Sequence, residues 1–178
     1  MNILNKTKTY LVGHMQYSNG SNWRKYVKQE LSPLNIQCFD PYDKPFLKDV
    51  EEGDHIREKF KHQMENGEFD DVQTHMREIR SYDLNLVDRC DFVIAHLIPE
   101  IASWGSAEEL TTSVRMKKPT FISIEGGKKK CPLWLLGMFP HKYIYDNIND
   151  ILSIIKKIDS GEKPIDYDRW RLLKQEYR

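Results

Sequence analysis

The stretch DFVIAHL, residues 91–97, constrains the fold of this chain more than any other. Apolar residues follow one another from Phe92 to Leu97, interrupted only by His96. A strand with one wet face alternates apolar and polar residues. A strand that does not alternate is buried on both faces, as in the interior of a parallel sheet. Parallel neighbours need crossover connections, usually helical, so strands and helices are expected to alternate along the chain.

They do. TYLVG (9–13) reads as a first strand, and SNWRKYVKQEL (21–31) as a helix capped by Ser21 or Asn22, with Trp23, Tyr26, Val27 and Leu31 near helical spacing. NIQCF (35–39) reads as a strand stopped by the turn residues DPYDKP. Residues 44–70 are charged and punctuated by Gly53 and Gly67, which predicts a poorly packed loop with a helical piece around 54–65. An amphipathic helix is predicted over 71–90, then the strand 91–97, a helix over 106–118 ended by Pro119, and a strand over 120–124. A short helix (132–139), a last strand (142–146) and a last helix (148–158) follow. The fold class expected is α/β: a single-domain open, doubly wound (Rossmann/flavodoxin-like), mostly parallel five-stranded sheet with helices on both faces. One domain covers 1–160 with 44–70 as an excursion, and 161–178 forms a helical tail or arm.

Lys plus Arg and Asp plus Glu number 27 each, so no global field draws in polymeric nucleic acid or an anionic membrane. A local basic pocket for a small anion remains compatible with that balance. No apolar run approaches the roughly 20 residues that span a bilayer, and MNILNKTKTYLVG lacks the pattern of a secretory signal. Cys38, Cys90 and Cys131 are odd in number, widely spaced and without metal-type spacing, which fits a reducing cytoplasm. The histidines show no HExxH pattern, and no metal or cofactor is expected. No GxGxxG follows the first strand and no GxxxxGK[ST] loop is present, which excludes those nucleotide sites.

In open parallel sheets ligands bind beyond the carboxyl ends of the strands. Residues 13–19, 40–42 and 96–109 are therefore expected to converge on one pocket. Asp83 shares a helical stripe with Ile79, Leu86, Val87 and Cys90, and a carboxylate amid apolar residues is costly unless paired or used. In IASWGSAEEL (101–110), Glu108 and Glu109 flank the stripe of Ala107, Leu110 and Val114, and the helical wheel does not choose between them. Both are expected in a first helical turn, where the macrodipole favours an ionised carboxylate. An ionised Glu with a buried Asp is the two-carboxylate arrangement of glycoside chemistry.

The ordered segments TYLVGHM, IRSYDLNLVDRCDFVIAHL, GSAEEL and MKKPTFI resemble those of the nucleoside 2-deoxyribosyltransferase family, including its relatives that cleave 2′-deoxynucleoside 5′-monophosphates. The resemblance spans roughly residues 8–125, apart from 44–70. It implies Glu109 as the nucleophile, at the end of the Gly-x-x-x-Glu-Leu box that begins at Gly105, and Asp83 as the acid that serves the leaving base. It implies substrate contacts at Tyr10, Gly13, His14, Ser103 and Gly105, and a homo-oligomer whose sites often borrow residues from a neighbour. Nucleoside-type members carry an Asp six residues before the nucleophile. Here that position is Ser103, which tilts the expectation toward a nucleotide, because a hydroxyl can donate to phosphate and a carboxylate repels it. The second phosphate-side Ser of those relatives is not evident; Pro132 lies about there, with Lys128–Lys130 nearby. Trp23 and Arg24 are further candidates for the pocket wall, Tyr17 for stacking on a base, and Trp104 for the site or an intersubunit contact. The implied reaction passes deoxyribose, or its phosphate, from a small-molecule nucleoside or nucleotide to water or another nucleobase. The alternatives are a catalytically silent nucleotide-binding module of the same fold, and an interaction protein that docks through 44–70 and the tail.

Overall fold

Residues 92–97 form the central strand of the sheet, as their lack of alternation requires. The computed structural model describes residues 2–15, 21–43, 54–101, 103–164 and 169. Strands β1 (Lys8–Gly13), β2 (Gln37–Phe39), β3 (Phe92–Leu97), β4 (Thr120–Ile124) and β5 (Ile144–Tyr145) run parallel in the order β2-β1-β3-β4-β5. Helices α1 (Asn22–Leu31), α2 (Asp54–Glu65), α3 (Phe69–Arg89), α4 (Trp104–Arg115), α5 (Leu133–Met138) and α6 (Ile148–Ser160) surround them.

The period of two in the strands sorts the core into two layers. Leu11, Phe92, Ile94 and Phe121 point to one face, against Val27 and Leu31 of α1 and Ile151 and Ile155 of α6. Tyr10, Val12, Val93, Ala95 and Ile122 point to the other, against Val87 of α3, Leu110 of α4 and Leu135 of α5. The sheet is therefore doubly wound, with helices on both faces. Among the described residues no helix is long and apolar enough to cross a membrane.

The structure shifts several expected boundaries. The second strand begins at Gln37, not 35, because Asn35 takes a left-handed φ of 55° after the 3₁₀ turn Ser32–Leu34. The last strand keeps only two residues, since His141–Tyr143 form a 3₁₀ turn. Helix α3 starts at Phe69. Helix α4 starts at Trp104, because Ser103 is extended and its Oγ accepts from the Ser106 amide at 3.3 Å. It stops at Arg115, two residues before Lys117, whose φ of 56° is left-handed. Ser21 stands at the α1 cap position without a side-chain capping bond. The buried stripe of α1 is Arg24, Val27 and Leu31, while Tyr26 is exposed. The helical piece expected at 54–65 is α2, and it does pack: the Phe60 ring meets His75 of α3 edge-on at 4.9 Å. Residues 44–53, Tyr17 and nearly all of the tail beyond 164 lie outside the described residues.

Candidate active site

The chain leaves β1 for β2 on one side and later places β3 on the other. This order creates a switch point at the carboxyl ends of β1 and β3. There Gly13 pairs with His96. A cavity of about 560 Å³ opens between two helices at this point. The face of α3 that carries Arg77, Arg80 and Asp83 forms one wall. The start of α4, with Ser103, Gly105 and Glu109, forms the other, and Gly13, Met15 and Pro41 line its base. The expected convergence thus holds for Gly13, for Pro41 and for the start of α4.

The neighbouring glutamates have different partners. Glu108 is half exposed and bound in a fork by Arg80 of α3, with Nε donating to Oε2 at 2.8 Å and Nη2 to Oε1. That hydrogen bond holds the Glu108 carboxyl below its ordinary pKa. Glu109 turns toward the sheet, where the Tyr10 hydroxyl donates to Oε1 at 2.6 Å. Tyr10 is fully buried, and burial, then the charge of Glu109, then that of Asp83, push its pKa well above the ordinary value. It therefore stays protonated and serves as a donor. The two carboxylates lie in the second turn of α4, not its first, because Ser103 starts the helix earlier than the apolar pattern suggests. The macrodipole argument loses its force at that depth. The Tyr10 hydroxyl is the local donor instead. The buried stripe is Ser106, Leu110 and Ser113, while Ala107 is exposed.

Asp83 lies on the inner face of α3 with Ile79 and Val87, buried as the stripe predicts, and lines the cavity. Helix α3 and helix α4 thus bring Asp83 and Glu109 to one cavity from separate elements.

The floor is held by Arg24, fully buried on α1. Its guanidinium donates to the carbonyls of Gly13 (2.8 Å), His14 (3.2 Å) and Leu11 (3.4 Å), and stacks on Trp23 with its carbon 4.6 Å from the ring centre. Asp40, at the end of β2, lies 3.7 Å from Arg24 Nε and 2.7 Å from Lys28 Nζ. Burial pulls the Arg24 pKa down, and the Asp40 charge opposes that. Arg24 was expected with Trp23 at the pocket wall; the structure places it instead beneath the floor, fully buried and bonded to three β1-end carbonyls, a role its helical spacing with Val27 and Leu31 does not reveal.

A Cβ on Gly13 would lie 2.8 Å from the His96 carbonyl and 3.0 Å from the Trp23 ring, whereas one on Gly105 would meet nothing within 4 Å. Gly13→Ala is therefore expected to cost about 1–3 kcal/mol, the usual range for overpacking. Gly105→Ala should leave stability level or raise it by up to about 1 kcal/mol. Urea unfolding of the two variants checks the contrast.

His96 sits behind this floor. Its Nδ1 is 2.8 Å from Ser123 Oγ, and its ring is 5.5 Å from Trp23. Burial lowers its pKa, outweighing the pull of the largely exposed Glu125, 3.4 Å from Nε2; His14 and Arg24 add to the lowering. The unfolded chain therefore binds the proton more readily. The stability from neutral His96 is complete above the ordinary histidine value of about 6.5 and is lost as pH falls below it toward the lowered folded value. Thermal unfolding at pH 7.5 and 5.5 is expected to show a larger loss for the wild type than for His96→Gln.

Not every candidate reaches the cavity. His14 is buried and lines a second, mainly apolar cavity of about 310 Å³ beyond Ser103, with Leu97, Leu135 and Trp134. Lys128–Lys130 form a 3₁₀ turn that lines neither cavity. Trp104 lines the first cavity yet remains 90% exposed. Ser103 borders both cavities, and its hydroxyl serves the α4 cap and Ser106.

No family model matches the sequence, and no curated protein matches it in a sequence search. Among solved structures, a 2-deoxyribosyltransferase from the psychrotolerant bacterium Bacillus psychrosaccharolyticus is similar, with a TM-score of 0.56 and 15% identity over 82% of this chain and 90% of that one. The chain shares that enzyme's fold. Identity this low speaks to the fold alone, so the roles of side chains rest on the geometry above.

Proposed function

We propose that this protein cleaves the N-glycosidic bond of a 2′-deoxynucleoside or its 5′-monophosphate by double displacement. A Glu109 carboxylate oxygen attacks the anomeric carbon. The bond to the base nitrogen breaks, its electron pair leaves with the base, and Asp83 manages the proton the base takes up. Water or a second base then attacks the same carbon and releases Glu109, so configuration is retained overall. The carrying observation is that Glu109 and Asp83 meet at one switch-point cavity while adjacent Glu108 is occupied by Arg80. Tyr10, beneath Glu109, is placed to orient it, and Gly105 leaves open space at the α4 wall for the sugar. The shared fold of a 2-deoxyribosyltransferase agrees with this reading.

A chromatographic product screen tests it, with each deoxynucleoside and deoxynucleoside 5′-monophosphate, with and without added free base. Release of base marks a hydrolase, and a new nucleoside formed only with added base marks a transferase. No product from any substrate overturns the enzyme and leaves a silent nucleotide-binding module. We also propose a homo-oligomer, supported by the exposed apolar side chains of Trp104, Leu133 and Trp134 beside the two cavities. A monomeric mass by analytical ultracentrifugation would contradict it.

A further inference from the structure

We propose that the outer rim of the active-site cavity is an anion subsite, built by Arg57 of α2 and Arg77 and Arg80 of α3, that takes a phosphate carried by the substrate. The inference rests on the glycosidic reading of the cavity for the identity of the substrate, though not for the binding of the anion.

Charge is sorted along α3. Its basic Arg77 and Arg80 line the cavity, whereas its acids Asp70, Asp71, Glu78 and Asp88 do not. Asp83 is the exception, and it lies deep. Helix α2 adds Arg57 to the same lining and none of its acids among the described side chains. The chain as a whole is neutral, so this cluster is no overflow from a basic surface.

On α3 itself depth separates the two signs, while Glu108 of α4 reaches the rim and pairs with Arg80. Arg77 and Arg80 are exposed, while Asp83 is buried. At about 1.5 Å per residue, Arg80 and Arg77 stand roughly 4.5 Å and 9 Å from Asp83 along the helix axis, toward the mouth. A glycoside that reacts at Glu109 and turns its phosphate toward the rim would meet these guanidinium groups. A phosphate is repelled by the acidic floor and drawn to the rim.

Arg80 already shows the recognition. It holds a carboxylate through two parallel donors, and the same fork fits two phosphate oxygens. Both partners are substantially exposed, 58% for Arg80 and 39% for Glu108, and exposed pairs contribute little. A phosphate dianion can therefore displace Glu108 from Arg80 and gain Arg77 besides. Ser103, across the mouth, carries no charge and is engaged in the α4 cap. The discriminating charge thus comes from α2 and α3.

Calorimetric titration tests this without turnover. Deoxynucleoside 5′-monophosphates, the matching deoxynucleosides and inorganic phosphate are titrated into the wild type, Glu109→Gln, Arg77→Gln/Arg80→Gln and Glu108→Gln, at low and high salt. The monophosphate is expected to bind at least about tenfold more tightly than the nucleoside, an increment of one charged contact. The gap should collapse in the double arginine variant and at high salt, while Glu108→Gln widens it by freeing Arg80. Equal affinities in the wild type, or a gap that survives loss of both arginines, overturn the subsite. A gap present in wild type and Glu109→Gln alike, with no product in the screen, upholds the subsite and sinks the glycosidase.

Discussion

Glu109→Ala is expected to lower turnover by a factor on the order of 10⁴ to 10⁶, the range found when a covalent nucleophile is removed, while Glu108→Ala remains an active enzyme. The two residues are adjacent and chemically identical, so the contrast isolates position. Glu109 faces the sheet and accepts from the buried Tyr10 hydroxyl at 2.6 Å; Glu108 faces outward and is held by Arg80. Product formation from the best substrate of the screen measures both, with circular dichroism to show that each variant is folded. Comparable losses in the two, or full activity in Glu109→Ala, would refute the assignment of the nucleophile. Tyr10→Phe refines it. If Tyr10 orients Glu109, its loss lowers kcat with little change in KM, by roughly 10- to 100-fold for a hydrogen bond to a charged group.

Arg24→Met is expected to lower the free energy of unfolding by about 3–5 kcal/mol, the cost of breaking a buried ion pair from one side. The substitution leaves Asp40 buried without the guanidinium, and strips donors from the carbonyls of Leu11, Gly13 and His14. The remaining Lys28, a third exposed, compensates Asp40 only in part. Arg24→Lys should recover little, because an ammonium cannot reproduce the planar fork that reaches three carbonyls at once. Urea denaturation measures the loss, and an unchanged midpoint in Arg24→Met would show that the guanidinium does not anchor β1. Since Gly13 lines the cavity, a folded variant should also lose turnover.

Local periodicity made much of the fold legible. The apolar run at 92–97, interrupted only by His96, called for a strand buried on both faces, and the alternation of strands and helices called for a parallel sheet with crossovers. Asp83 was legible because one carboxylate interrupted an apolar stripe. Boundaries set by a single backbone angle were not. Asn35 and Lys117 end their elements through left-handed φ values that no periodicity records. Ser103 moved α4 forward through a cap, which carried the two glutamates out of the first turn.

The sequence by itself determined the architecture, since hydrophobic period and turn chemistry are local and survive in one dimension. It also brought Asp83, Ser103 and the glutamate pair forward as candidates. Which partner each of Glu108 and Glu109 meets was decided only in three dimensions. Arg80 lies 28 positions and Tyr10 99 positions away in the chain, and the fold alone brings one to each carboxylate. Arg24 was likewise decided by tertiary structure, because a guanidinium belongs in an interior only where three carbonyls and a carboxylate converge on it. Such convergence depends on strand register and helix packing, and those exist only once the sheet has formed.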